Sequence, residues 1–498
     1  MKNVADFFFL ERVPKGYPMD VLYINLGHTN IAKRPEFGLK TQGAMILVFS
    51  EGHYDIFLEK EKWFKAGQTV LDYVLENDDR FIAWERKTRR WLAYIAEVNN
   101  KFKKIDFGVF TDKELMQQLD WILEFEKTDG IENAEITSSN YGTNLIYQRF
   151  ESTLKELGFA PHNIGQILLR STRSFPLIEY EKEISRLAIW LINEKKNYVL
   201  DYEIADQEIL NKIENILDEY DWLDASLASK PKSIQNVIDD INVLLQFKDK
   251  LSKVIAEREY DREDKRSERE KVLEAVLQRA SSKQKRVIDF AIESSELGRI
   301  LVDEIMKFIY YRRRIYAEIG KRIRLSEIET KYLLPEEIRS CLLHSTKPDI
   351  EIVRQRQEIF VCILENDQID IYTGQQAKEW RDKLKEIVSN DVRPLKGEIA
   401  FSKGKIKGIA KIIRDVTDMD KIKNGDILVS SRTYPDLLPA MKKSSAIIAE
   451  LGGLLSHAAI VSREFGIPCL VGVQNATSKI KDGDYLEIDT ETGDIIII

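Results

Sequence analysis

The stretch from Ala446 to Pro468 restricts the fold more than any other part of this 498-residue chain. It begins with a short apolar run, which predicts a strand over Ala446–Ala449. The pair Gly452–Gly453 follows, and two residues without side chains permit unusual backbone angles and the close approach of a ligand. Ser456 is a favourable N-cap residue, so we predict a helix over Ser456–Phe465. The stretch therefore predicts a strand, a glycine turn and a short helix in succession.

His457 lies in the first turn of this predicted helix, which Gly466 ends as the C′ residue with Pro468 close behind. At the start of a helix, unpaired backbone N–H groups and the positive end of the dipole favour an anionic group on or near the imidazole. A neutral imidazole is a competent nucleophile, so a phosphoryl group carried on His457 would be stabilised there. Ala458 and Ala459 leave the approach to the ring uncrowded. The alternative interpretation is a structural histidine that fills the core or caps the helix.

The pattern of apolar residues changes along the chain and divides it into regions. Residues 1–100 predict a mixed α/β part, and residues 101–390 predict a helical domain because their apolar positions recur at helical intervals. Residues 391–396 are polar with a single proline, which predicts a hinge linker. Residues 397–498 alternate short β runs with turns and predict an α/β domain. The predicted fold class is therefore multi-domain, with a mostly α-helical N-terminal region, a small β-containing start and a C-terminal α/β domain. A hinge of this kind predicts a modest, polar interface between the two large parts.

Two local patterns in the N-terminal region each predict one particular structural element. Apolar β runs flank Ser50–His53, which predicts a hairpin with Gly52 in the turn. Thr111 and Glu114 form a capping box, which predicts that a helix begins there.

Composition excludes several classes of protein. Lys and Arg number 75 against 83 Asp and Glu, a net charge of −8, which argues against a nucleic-acid binder. The three cysteines and five histidines show no metal-ligand spacing, so we expect neither a metal site nor a disulfide framework. No secretion signal or membrane-length apolar run is evident, so we expect a soluble, cytoplasmic protein without a membrane partner.

From Gly452 to Pro468 the sequence is Gly-Gly-x-x-Ser-His-Ala-Ala-Ile-x-x-Arg-Glu-x-Gly-Ile-Pro, which resembles the signature of the phosphohistidine swivelling (mobile) domain of phosphoenolpyruvate-utilising enzymes. The resemblance implies a β/β/α swivelling fold and a phosphoryl-carrying role for His457. By position it also implies supporting roles for Gly452, Gly453, Ser456, Arg463, Glu464 and Thr433. Ser456 would cap the helix and contact phosphoryl oxygens, and Arg463 or Glu464 would hold the helix or a docking face. Ala449 and Cys469 depart from the family pattern without removing the nucleophile.

The order of domains resembles the rifampicin phosphotransferases, in which a swivelling domain follows a largely helical acceptor-binding domain. No stretch resembles the ATP-grasp kinase unit that family members carry. The resemblance implies a phosphotransferase that is incomplete without a separate ATP-grasp kinase subunit, where ATP and Mg²⁺ would bind. Residues 101–390 would hold a small-molecule acceptor, and elimination or ligation would be a later step. The phosphoryl donor, ATP or phosphoenolpyruvate, stays open.

Two groups of arginines are further candidates for contacts with an anionic acceptor. Arg312 and Arg313 lie on a predicted basic helix, and Arg170 and Arg173 lie in a polar turn before Pro176. The alternative for the first pair is ion pairing with glutamates inside a helical bundle, and the alternative for the second is helix capping.

A function of a different class also fits these residues. The chain would then be a non-catalytic binding or regulatory protein whose swivelling domain no longer turns over. Only the enzyme requires phosphohistidine, so acid-labile, base-stable labelling of the chain separates the two.

Overall fold

Two β-sheets and a set of packed helices make up the part of the chain that the structure describes. The structure is a computed structural model, and it describes residues 7–14, 43–50, 53–132, 145–170, 176–195, 200–201, 205–224, 232–245, 266–365, 368–389, 395–414, 416–431, 433, 437–450, 457–473 and 476–498. Within these residues, no helix has the length and apolar character needed to cross a membrane.

The first sheet is assembled from two distant parts of the chain. Its strands are β1 (Phe7–Pro14), β2 (Met45–Ser50), β3 (His53–Glu59), β4 (Ile359–Glu365) and β5 (Gln368–Thr373). Their order is β1-β3-β2-β4-β5, and every neighbouring pair is antiparallel. The predicted hairpin is confirmed as β2 and β3.

Strands β4 and β5 lie inside residues 101–390, which the sequence predicted to be helical, so that prediction was wrong for this segment. The run Ile359–Glu365 is apolar almost throughout, and its first six residues are buried. Both faces of β4 are covered, with Cys362 packed in one hydrophobic cluster and Val361 in another. A strand buried on both faces shows no alternation of apolar and polar residues, so periodicity cannot distinguish it from a buried helix.

Helices form most of the chain between the two sheets. They are α1 (Lys60–Leu75), α2 (Asp78–Phe102), α3 (Asp112–Glu132), α4 (Leu145–Glu156), α5 (Pro161–Leu168), α6 (Pro176–Trp190), α7 (Gln207–Tyr220), α8 (Ile234–Leu245), α9 (266–279), α10 (Ser282–Ile323), α11 (Glu327–Thr330), α12 (Pro335–His344), α13 (Ile350–Glu358) and α14 (Gly374–Ser389). The capping box predicted at Thr111 and Glu114 is confirmed, because each residue bonds to the other across the start of α3.

Helix α10 is 42 residues long and forms the spine of this helical region. Ser281 and Gln284 form a capping box at its start, and Arg324 ends it in the left-handed conformation with φ of 63°. It packs against α2, α4 and α11. A helix of this length therefore gives the shorter helices one continuous surface to bury their apolar faces against.

The predicted C-terminal α/β domain is confirmed. Its elements are β6 (Glu398–Phe401), β7 (Lys405–Ile412), β8 (Ile427–Ser430), α15 (Leu438–Lys443), β9 (Ala446–Ala449), α16 (His457–Phe465), β10 (Cys469–Val471), α17 (Ala476–Lys479), β11 (Tyr485–Asp489) and β12 (Ile495–Ile497). The seven strands form one mixed sheet in the order β12-β11-β7-β8-β9-β10-β6. Strands β7, β8, β9 and β10 are parallel neighbours, and the three outer strands are antiparallel.

The contact between the helical region and the C-terminal domain contains a buried apolar cluster, which the expectation of a polar interface did not include. One continuous hydrophobic cluster includes Phe150, Leu154, Leu168 and Leu169 from the helical region, and Ala400, Ala458, Val461 and Cys469 from the C-terminal domain. The residues 390–394, which contain most of the predicted hinge, lie outside the described residues. The end of that hinge is fixed to the domain, since Ile495 donates its backbone N–H to the Leu395 carbonyl at 3.0 Å.

Candidate functional site

The candidate site lies where the parallel strands of the C-terminal sheet end. Strands β8, β9 and β10 are parallel, so their carboxyl ends meet at one edge of the sheet. Strand β9, helix α16 and strand β10 form a βαβ unit, so the start of α16 follows the carboxyl end of β9 at that edge. His457 is the first residue of α16. Ligand sites of parallel sheets form at such carboxyl edges.

Helix α16 ends as the sequence predicted. Gly466 has φ of 62°, which is the left-handed conformation expected of a C′ residue. Ile467 then donates its backbone N–H to the Ser462 carbonyl at 2.9 Å, which is the long hydrogen bond of a Schellman motif. The C-terminal end of α16 is therefore fixed, and the helix has a defined length of nine residues.

The described side chains of α16 are mostly buried. Ala458, Ala459, Val461, Ser462 and Arg463 are all less than 5% exposed, and at 3.6 residues per turn they occupy an arc of about 200° around the helix. The sheet lies on one side, because α16 packs on β6, β9 and β10. The helical region lies on another, through the hydrophobic cluster that the two regions share. The helix that begins with His457 is therefore docked against the helical region.

Arg463 joins the two regions by hydrogen bonds. Its Nε donates to the Ala400 carbonyl of β6 at 3.3 Å, and its Nη1 donates to the Leu169 carbonyl, just after α5, at 3.4 Å. The residue is only 3% exposed. Arg463 therefore contacts both regions, and its role in holding a docking face stays a prediction.

Two polar residues follow the strands at this edge. Thr433, three residues after β8, is buried. Glu450, directly after β9, is also buried, and its Oε2 accepts a hydrogen bond from the backbone N–H of Thr477 at 2.9 Å and another from the Thr477 hydroxyl. A carboxylate at the first turn of α17 is thus held beside the segment that leads to His457.

Several predicted site residues lie outside what the structure describes. These are Gly452, Gly453, Ser456 and Arg173, together with the side chains of His457 and Glu464. Their assigned roles therefore stay predictions.

Arg312 and Arg313 form ion pairs with glutamates inside the helical bundle, which was the alternative interpretation of these two residues. Arg312 is completely buried and pairs with Glu126, which is buried as well. Arg313 pairs through its Nε with Glu327 at 2.8 Å. Burying a guanidinium is costly unless a carboxylate accompanies it, so these pairs belong to the packing of the bundle. Arg170 pairs through its Nη1 with Glu268 at 3.1 Å and lies beside the turn that Arg463 contacts.

Sequence reasoning missed Glu450, Thr477, Arg269 and Asp289 as site candidates. Glu450 directly follows a buried β run and precedes the glycine pair, a signal that marks the carboxyl edge of a sheet. Arg269 and Asp289 belong to a cavity that forms only when α2, α9 and α10 pack together. No local pattern in the sequence connects residues on three separate helices.

Comparisons with known proteins identify the C-terminal part of the chain. Residues 422–493 match the family model for the mobile domain of PEP-utilising enzymes. A probable phosphoenolpyruvate synthase of Pyrococcus horikoshii is 52% identical over 99 residues, which are 20% of this chain and 12% of that relative. A probable phosphoenolpyruvate synthase of Methanothermobacter thermautotrophicus is 46% identical over 120 residues, or 24% of this chain and 16% of the relative.

A third relative has a longer match. An uncharacterized phosphotransferase of Bacillus subtilis is 35% identical over 173 residues, which are 34% of this chain and 21% of the relative. The chain thus spans between an eighth and about a fifth of the length of these three curated relatives. The resemblance found in the Gly452–Pro468 motif is confirmed: the C-terminal part contains the mobile domain of PEP-utilising enzymes, and its relatives include phosphotransferases.

Proposed function

We propose that this chain, which carries a mobile domain of the PEP-utilising type, is a phosphotransferase component with His457 as the phosphoryl carrier. His457 would accept the phosphoryl group at a donor site and deliver it to a small-molecule acceptor bound by residues 101–390. One observation carries the proposal: α16, which begins with His457, is docked on the helical region through Arg463 and a shared apolar cluster.

The proposed reaction has two transfers. In the first, an imidazole nitrogen of His457 attacks the phosphorus of the donor, a nitrogen–phosphorus bond forms, and the bond from phosphorus to the leaving oxygen breaks. In the second, a nucleophilic atom of the acceptor attacks the same phosphorus, the nitrogen–phosphorus bond breaks, and free His457 is regenerated. Catalysis of this kind consists of positioning and charge stabilisation.

The roles of the neighbouring residues follow from their places. Backbone N–H groups at the start of α16 would stabilise the phosphoryl oxygens. Ser456 would cap that helix, Gly452 and Gly453 would allow the phosphoryl group to approach the backbone, and Arg463 would hold the docked position.

The donor site is proposed to lie on a separate ATP-grasp kinase subunit that binds ATP and Mg²⁺. The relatives named phosphoenolpyruvate synthase make phosphoenolpyruvate an equally direct donor candidate. The domain would move about residues 391–396 between the donor and acceptor sites, in the cytoplasm. Elimination or ligation of the phosphorylated acceptor would be a later step.

The test is labelling of the full chain with [γ-³²P]ATP and, separately, with ³²P-labelled phosphoenolpyruvate, each with and without a purified ATP-grasp kinase. We expect an acid-labile, base-stable label on the peptide that contains His457. His457→Gln should abolish the label, and the matched control His344→Gln, an exposed histidine at the end of α12, should retain it. Label that persists in His457→Gln excludes His457 as the carrier. Complete absence of label favours the binding or regulatory protein.

A further inference from the structure

The helical region contains a cavity of about 350 Å³ between α2, α9 and α10. This volume lies within the range of about 300–1,000 Å³ that is typical of small-molecule sites. Its wall combines both signs of charge, with Arg89 and Arg269 on one hand and acidic residues that include Asp289, Glu293 and Glu296 on the other. Phe81 adds an aromatic surface. A cavity of this size and polarity suits a small charged molecule.

Arg269 offers a fixed and available guanidinium to this cavity. Its Nε donates to the Leu168 carbonyl at 2.9 Å, which holds the side chain in one orientation. Among the residues that the structure describes, no other group accepts a hydrogen bond from Arg269. Glu270, Glu293 and Glu296 act on this guanidinium through charge, but its two terminal nitrogens donate to no described residue. A planar guanidinium recognises a carboxylate or phosphate through two parallel hydrogen bonds. We therefore expect a ligand of this cavity to carry an anionic group that binds Arg269.

Asp289 offers an available carboxylate to the same cavity. Arg89 already engages two of the acids, because its Nε contacts Glu85 at 2.7 Å and its Nη2 contacts Glu293. Asp289 has no hydrogen-bond or ion-pair partner within the described part of the chain. Partial burial raises the pKa of this carboxyl, Lys285 opposes the rise and Glu85 adds to it, so the charged form of Asp289 is disfavoured in the folded protein. A cationic group on a ligand would offset this effect.

The cavity is also connected to the docked helix α16. Arg269 binds the carbonyl of Leu168, and Arg463 of the C-terminal domain binds the carbonyl of the next residue, Leu169. Ser295 of α10 donates to the same Leu169 carbonyl at 3.4 Å. One turn of backbone therefore contacts the cavity wall on one side and the helix of His457 on the other.

We propose that this cavity is the acceptor site, and that it takes a small zwitterion whose carboxylate or phosphate binds Arg269 and whose ammonium group binds Asp289. The identification as acceptor site rests on the proposed function. The binding chemistry does not, because it depends only on the residues of the cavity.

The test is calorimetric binding to the full chain carrying His457→Gln, so that no phosphoryl transfer can occur. The probes are glycine, 4-aminobutyrate and 6-aminohexanoate, with hexanoate and hexylamine as partners that carry a single charge. We expect at least one zwitterion to bind ten or more times more tightly than either of the two. Equal binding of all five probes, or no binding of any, overturns the zwitterion site.

Two substitutions assign the two ends of the ligand. Arg269→Gln should remove the advantage of the zwitterion over hexylamine, and Asp289→Asn should remove its advantage over hexanoate. Arg266→Gln, one turn earlier on α9 and paired with Glu270 on the surface, is the matched control and should bind as the parent does. Asp289→Asn removes a half-buried charge that the folded protein disfavours, so it should fold at least as stably as the parent. Unchanged affinity in Asp289→Asn or Arg269→Gln overturns the assignment, even when His457 is labelled as proposed.

Discussion

Two ionisable residues on α10, Arg312 and Asp303, differ in how well neighbouring charges compensate them. Arg312 has Glu126 as a buried partner, so both ions are compensated inside the bundle. Asp303, nine residues earlier on the same helix, is less well compensated. Burial raises the pKa of its carboxyl to about 7, while Arg299 and Lys307 act in the opposite direction. The folded protein therefore holds a proton on Asp303 across a pH range in which the unfolded chain has lost it.

This linkage predicts a pH-dependent effect of Asp303→Asn. The folded-state pKa exceeds the ordinary value of 3.8, so the stability that protonation of Asp303 supports is complete at low pH and is lost as the pH rises towards 7. An asparagine carries no such penalty. We expect the free energy of unfolding of the variant to exceed that of the parent by an amount that grows between pH 4 and pH 7. Above pH 7 the difference should stay constant, at about 4 kcal/mol at most.

Urea unfolding of both proteins at pH 4, 5.5, 7 and 8 measures this difference. Asp370→Asn, which changes an exposed residue of β5, is the control for the loss of a carboxylate and is measured at the same four pH values. A stability gain for Asp303→Asn that does not vary with pH would show that the carboxyl titrates normally.

At the scale of elements, the end of α10 depends on one glycine. A Cβ atom added to Gly320 would lie 2.6 Å from the Leu325 carbonyl oxygen and 2.7 Å from the Thr330 Oγ1. The chain needs this space because it turns there, from the end of α10 into the short helix α11. A backbone oxygen cannot move away as the end of a flexible side chain can.

Gly320→Ala should therefore destabilise the protein, although alanine is normally favoured over glycine within a helix by about 1 kcal/mol. We expect the free energy of unfolding to fall by about 1–3 kcal/mol because the turn must shift. Gly165→Ala in α5 is the matched control, since its Cβ would meet only the ring of Phe150 at 3.4 Å and the Tyr147 hydroxyl at 3.9 Å. Chemical denaturation of the two variants compares them. Equal stability of both would mean that the α10–α11 turn adjusts freely.

Local chemistry explains which elements could be predicted from the sequence. The capping box at Thr111 and the C′ glycine at Gly466 act within a few residues, so the pattern that predicts them is contiguous. The hairpin β2–β3 is contiguous as well. Strand β4, in contrast, pairs with β2 across some three hundred residues of chain and is buried on both faces, which leaves no periodic signal.

In the candidate site, too, the features that depend on neighbouring residues could be predicted from the sequence, and those that depend on distant partners could not. The place of His457 at the start of a helix that Gly466 ends follows from its neighbours, whereas the partners of Arg463 do not. Arg463 contacts Leu169, which lies 294 residues away, so this contact depends on how two domains pack. The bundle pairing of Arg312 likewise depends on α3 reaching α10. Residues whose partners are distant in sequence are those for which the sequence left two interpretations open.

At the scale of the whole molecule, docking of the C-terminal domain rests on two kinds of contact. The apolar cluster that both regions share supplies contact area without direction. Arg463 supplies direction, because its guanidinium binds one carbonyl in each region. A domain that swivels away from the helical region must break both the apolar contact and the hydrogen bond of Arg463 to that region. Loss of the hydrogen bonds of Arg463 should therefore change the position of the domain more than its fold.

Arg463→Gln is predicted to shift the full chain towards undocked conformations. A hydrogen bond from a charged group contributes about 1.5–3 kcal/mol, which corresponds to a shift of roughly ten-fold or more in the docking equilibrium. Small-angle scattering should show a larger radius of gyration, and hydrogen exchange should increase at the turn after α5 and in α16. Ser462→Ala is the matched control, because its hydroxyl bonds to the Ala459 carbonyl within α16. If Arg463→Gln matches that control in both measurements, the apolar cluster alone holds the docked state, and movement of the domain must be driven by separation of that surface.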